Sequence, residues 1–216
     1  GRTRSIIGAQ SLINAGLPNP VISMRDGTMA QRLAGLEVAS QQNRRPPPTS
    51  AEGEAWAVGA VKRVAERFEI ESIDASQLAE WQGEKERTLY VVDVRTPEEY
   101  EAGHLPAARS VPGGQLVQET DRHLGVWGAR VVLTDNNGVR ATMTASWLAQ
   151  MGWEAYVYVP PAGAHTVTGN DRPAGEGWLG EVGADVPSIS ADALQAELQQ
   201  ASPPTVVDLA YSDAHN

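Results

Sequence analysis

The chain of 216 residues contains no cysteine. That absence excludes disulfides, cysteine-ligated zinc, iron–sulfur clusters and any thiolate nucleophile supplied by these residues, and it fits a reducing compartment. Basic residues are also scarce: 17 Lys and Arg stand against 27 Asp and Glu, a net charge of −10. A surface so acidic lacks the clustered positive face that nucleic acid or an anionic membrane requires, so neither is expected as a partner. No apolar run approaches the roughly 18 residues of a membrane span, and the first residues lack a charged-then-apolar leader, so a cytoplasmic location is expected. Histidines are few and scattered: His123, His165 and His215 have no carboxylate at ligand spacing, and His104 reads as a hydrogen-bonded structural residue. Neither a metal nor a cofactor is expected.

What remains is ordinary globular material, 41% apolar and 20% charged. Apolar residues at helical spacing run from Ile6 to Leu17 and predict a helix, followed by a short strand at Val21–Ser23 and a second short helix capped by Thr28. The stretch "NRRPPPTS", Asn43 to Ser50, can join neither a helix nor a sheet interior and reads as a stiff connector. Glu52 to Phe68 is amphipathic, with Trp56, Val58, Val61, Val64 and Phe68 on the side expected to pack on a neighbouring domain. Then Asp74 caps a short helix, "LYVVDV" forms a strand, Pro97 opens another helix, and "VVLT" and "YVYV" form two more strands. Short apolar strands alternating with helices predict an α/β fold with a central parallel sheet flanked by helices. The chain is irregular and glycine-rich from Pro160 to Val186.

The sequence also repeats itself. "SIDASQLAEW" and "YVVDV" return as "SISADALQAEL" and "TVVDL", with Ile189 answering Ile73 at an offset of 116 residues. "GAQSLINAGLPNPVISM" parallels "TASWLAQMGWEAYVYV", with Gly16 answering Gly152 at an offset of 136. Repetition of this kind divides the chain into the tail of one unit (1–42), a connector and helix (43–70), a whole unit (71–162), a second linker (163–186) and the head of a further unit (187–216). Incomplete end units leave apolar faces to be covered, by each other or by a homo-oligomer.

The stretch "DVRTPEEYEAGHLP", followed by strand, loop and helix in "VVLTDNNGVRATMTASWLAQ", resembles the rhodanese-like sulfurtransferases, and the opening segment resembles the end of another such unit in a tandem array. The resemblance implies a rhodanese-like α/β domain whose active loop follows a strand and carries a cysteine that takes sulfane sulfur from a donor such as thiosulfate and holds it as a persulfide. It also implies an arginine in that loop. Residue by residue, the cysteine position falls on Asp135, the following positions on Asn136, Asn137, Gly138 and Val139, and the arginine on Arg140, with Ala141 in place of a small hydroxyl residue. Arg2, Thr3, Arg4 and Ser5 match the end of an active-type loop, Arg4 answering Arg140. Asp93 and Arg95 fit a brace beneath the loop.

A loop between a strand end and a helix N-terminus offers unpaired N–H donors and the positive end of a dipole, so it is a cradle for an anion. Carboxylate oxygen cannot carry sulfane sulfur. The whole unit is therefore expected to be catalytically inactive, with Asp135 supplying the charge the cradle is shaped for and facing Arg140. Sulfur transfer would belong to a cysteine outside these residues, and a small anion such as thiosulfate and other rhodanese-like repeats are the partners implied.

Overall fold

Three of the apolar runs become the middle of one sheet. The computed structural model describes residues 2–40, 47–169 and 189–206. In the order of the chain the helices are α1 (Arg2–Asn14), α2 (Gly27–Leu33), α3 (Ala51–Phe68), α4 (Ala75–Gly83), α5 (Pro97–Ala102), α6 (Gly113–Gln118), α7 (Thr120–His123), α8 (Val139–Gln150) and α9 (Ala191–Leu198). The strands are β1 (Glu71–Ser72), β2 (Leu89–Asp93), β3 (Arg109–Ser110), β4 (Arg130–Thr134) and β5 (Glu154–Tyr158). They pair in the order β1-β5-β4-β2-β3, every pair parallel. The chain divides into two compact units, Gly1–Arg172 and Pro173–Asn216.

Strand β4 lies at the centre of the sheet, and both of its faces are covered. Val131 and Leu133 point into one cluster with Leu116, Ala141, Ala145 and Leu148, whereas Val132 points into another with Leu78, Trp81, Tyr100 and Leu105. This is why β4 is continuously apolar rather than alternating. Helix α8 approaches β4 closely because its buried face is built from small residues, Ala141, Thr142, Thr144, Ala145 and Ser146, with Leu148 as the one large side chain. Full burial of Leu148 removes a side chain's apolar area from water, a gain of about 2 kcal/mol.

Caps set the helix starts. Ser50 accepts from the Gly53 amide at 3.1 Å, Asp74 from Gln77 at 2.9 Å, and Thr96 and Glu99 form a reciprocal capping box ahead of Pro97. In the second unit Ser190 caps α9 by accepting from Ala193. Ser190 thus stands where Asp74 stands in the first copy of that pattern.

Several expectations need correction. Helix α1 begins at Arg2 and ends at Asn14, earlier than the apolar spacing suggested. Val21–Ser23 is not a strand, because no strand among the described residues pairs with it, and Ile22 is left 86% exposed. Thr28 is inside α2; the residue before the helix is Asp26, in a left-handed conformation with φ 56°. The apolar face of α3 is narrower than read: Ala60, Val61 and Val64 are buried and the helix packs on α8, while Trp56 stays exposed. Of "TVVDL", Thr205 and Val206 form no strand and the rest lies outside the described residues, as do much of the Pro-rich connector, His215 and most of the linker after residue 169.

Candidate functional site

The loop 135–138 leaves the carboxyl end of the central strand and turns straight into α8. In a parallel sheet this is where ligands are met, because the strands on either side of β4 are reached by connections running in opposite directions. The turn is tight: Gly138 has φ 81° and is the residue immediately before the helix, a conformation that glycine reaches without penalty.

Asp135 has no exposed surface. One carboxylate oxygen, Oδ1, accepts the backbone N–H groups of Asn137 at 3.0 Å and Gly138 at 2.5 Å; the other, Oδ2, accepts those of Arg140 at 2.7 Å and Ala141 at 3.0 Å. Four amides, one from the loop and three from the helix cap and first turn that would otherwise lack partners, thus converge on one buried side chain, with the positive end of α8 behind them. Bonds from N–H to an ionised acceptor are among the stronger ones.

A second layer ties the loop to its surroundings. The Arg95 guanidinium, 4% exposed, donates from Nε to both Asp93 oxygens at 2.9 and 3.1 Å and from one terminal nitrogen to Asp93 Oδ2 at 2.6 Å and to the Gly103 carbonyl at 2.6 Å. Its other terminal nitrogen donates to Asn136 Oδ1 at 2.9 Å. A buried ion pair at the end of β2 therefore holds the outer residue of the loop. Asn137 receives its own support: its Nδ2 donates to Glu54 Oε1 at 3.0 Å and its Oδ1 accepts from Val139 N at 3.2 Å.

Arg140 turns away from Asp135. Only its backbone N–H reaches the carboxylate, and the guanidinium makes a two-pronged pair with Glu99, at 2.6 and 2.9 Å. The side-chain bond from Arg140 holds the Glu99 carboxyl down to about 2 and raises the arginine above its usual value. Glu99 prefers this geometry because the capping box already orients it, its Oε2 accepting from Thr96 N at 2.9 Å. Glu99 and Glu54 were not singled out from the sequence. The capping-box spacing from Thr96 to Glu99 would have signalled the first; nothing local signals the second, which lies 83 residues from its partner.

Arg2 to Ser5 lie in the first turn of α1, as Gly138 to Ala141 lie at the start of α8. The Arg4 Nε donates to Gln118 Oε1 on α6 at 2.6 Å, and Ser11 on the same helix accepts from Trp147 Nε1 at 2.8 Å. Arg4 is thus spent on a contact within the unit. Thr3 is exposed and Ser5 half-buried. His104 is buried, stacked on the Tyr100 ring at 3.6 Å between centroids, with Nδ1 at 2.9 Å from the Tyr100 carbonyl. Among the described residues no cluster of His, Asp and Glu could hold a metal ion.

Residues 74–163 match the model of the rhodanese-like domain, and this match, together with the parallel sheet and its central loop, defines the class. Residues 74–163 thus belong to the rhodanese-like domain family, and the chain around them is similar to a sulfurtransferase of that family. The thiosulfate sulfurtransferase of Pseudomonas aeruginosa, known from its crystal structure, is 54% identical over a match covering 78% of this chain and 32% of that one, with a TM-score of 0.76. The chain therefore spans about a third of that protein's length. A rhodanese homologue from Thermus thermophilus is 24% identical, covering 42% of this chain and 94% of its own, with a TM-score of 0.33. An E. coli rhodanese crystallised with anions is 22% identical, covering 33% and 84%, with a TM-score of 0.30. No curated protein matches the chain.

Proposed function

We propose that residues 71–162 are a catalytically silent rhodanese-like module of a thiosulfate-type sulfurtransferase, in which a cysteine outside this chain carries the sulfur. The observation that supports this is the Asp135 carboxylate with four backbone amides of the loop and the first turn of α8 on it. A persulfide needs a sulfur atom at that point. Asp135 offers oxygen instead and already satisfies the donors that would stabilise a sulfur anion, so thiosulfate has neither a nucleophile nor an empty anion site to meet.

The partners of such a module are other rhodanese-like units of the same protein. The matching positions of Ser190 and Asp74 as helix caps support reading 187–216 as the head of one. Exposed Ile6, Ile22, Met29 and Leu33 support reading 1–42 as the tail of another, whose remaining elements would cover them.

Incubation with thiosulfate followed by cyanolysis tests the silence: the chain should yield no cyanide-labile sulfur, and stoichiometric loading would overturn the reading. Asp135→Cys tests the cradle. Its thiol, set among four amides at a helix start, should titrate below the roughly 8.5 of free cysteine and take up sulfur slowly. An ordinary thiol pKa with no uptake would mean that the loop does not stabilise a sulfur anion.

A further inference from the structure

The loop that buries Asp135 also contains the dipeptide Asn137-Gly138, and the two facts bear on each other. A backbone nitrogen can attack the carboxamide carbon of the asparagine before it, and glycine permits this most readily because no β-carbon obstructs the approach. Both reacting groups are tied down here. The Gly138 N–H is donated to Asp135 Oδ1 at 2.5 Å, so the nitrogen would have to give up its proton while facing a carboxylate. The Asn137 carboxamide is held at both ends, by Glu54 Oε1 at 3.0 Å and by Val139 N at 3.2 Å, and cannot swing toward its neighbour.

We propose that Asn137 is a deamidation site that the folded loop keeps shut, and that it reacts only when the loop releases Asp135. In the reaction Gly138 N bonds to Asn137 Cγ and the Cγ–Nδ2 bond breaks. Ammonia leaves with the two hydrogens of the carboxamide and the one from Gly138 N. Water then opens the five-membered imide at either carbonyl, leaving aspartate or isoaspartate at 137 with no change in oxidation state. Either product places a new carboxylate against Glu54 in the first turn of α3, where an amide donor had been. Isoaspartate in addition inserts a methylene into the main chain between two amides that register on Asp135. The modification therefore prevents the loop from closing again, and it records past opening of the cradle and of its contact with α3.

This proposal rests on the hydrogen bonds of the loop and stands whether or not the module transfers sulfur. The test is to incubate the whole chain at mildly alkaline pH, native and in urea, and to follow Asn137 by peptide mass spectrometry and isoaspartate detection. The native rate should lie at least about tenfold below the unfolded rate, since reaction is limited to the open fraction. Asp135→Asn, which deprives the loop of one acceptor oxygen, and Glu54→Ala, an exposed change that frees the Asn137 carboxamide, should each raise the native rate several-fold. Glu54→Ala keeps the test available should the buried substitution unfold the chain. Acceleration in either folded variant supports the gate; equal native and unfolded rates, or native rates unmoved in both variants, would overturn it.

Discussion

Replacing Asp135 by alanine removes the acceptor of four amides at once, and the cost can be worked from where those amides lie. The N–H groups of Gly138 and Ala141 are buried, whereas those of Asn137 and Arg140 are partly buried and can turn to water. A buried donor left without a partner costs about 1–3 kcal/mol, and the bonds lost were to a charged group. Two stranded donors and a small void then amount to roughly 3–5 kcal/mol, a large share of the 5–15 kcal/mol typical of a folded domain. Asp135→Asn keeps one oxygen for two amides but turns an NH2 group toward the other two, so it should cost about 2–3 kcal/mol. Urea unfolding followed by circular dichroism reads this directly: the midpoint should fall by about 1–3 M for the alanine variant with an unchanged slope. In a thermal scan the loss corresponds to roughly 10 °C. If Asp135→Ala costs less than about 1 kcal/mol, the four bonds do not hold the loop, and the view of Asp135 as its internal anion fails.

Three further outcomes are expected. The Glu99 carboxyl is depressed by Arg140 to about 2 from an ordinary value of 4.5, so the stability it contributes is complete above pH 4.5 and is lost as the pH falls toward 2. Both side chains of the pair are over a third exposed, so water screens it and the loss should be about 1 kcal/mol; Glu99→Gln should flatten that part of the pH–stability curve, and an unchanged curve would refute the pairing. Gly138→Ala forces a β-carbon into a residue at φ 81° and to 3.0 Å from Val159 Cγ2, and should cost about 1–3 kcal/mol in the same urea assay. Leu148→Ala empties a fully buried position between α8 and the sheet and should cost about 2–5 kcal/mol; a smaller effect would mean that the helix is not anchored there.

Local pattern determined a good deal of this protein. The parallel sheet was legible because its central strands are apolar on both faces, and the starts of α4 and α5 were legible because Asp74 caps one and Pro97 opens the other by chemistry confined to one turn. The strand–loop–helix layout around Asp135 was visible for the same reason. What lay beyond sequence reading was decided by residues far apart in the chain. Short strands such as Glu71–Ser72 and Arg109–Ser110 exist only because a neighbouring strand pairs with them, while Val21–Ser23, apolar but without a partner strand, stays irregular. The direction of Arg140 was likewise a tertiary choice. Asp135 is a few residues away, but its lone pairs are filled by backbone N–H groups, so the guanidinium finds its acceptor in Glu99, 41 residues distant and oriented by its own cap. The sequence places a carboxylate in the loop after the central strand; only the folded loop, by turning four amides onto that carboxylate, decides that it is buried and bound rather than exposed to solvent.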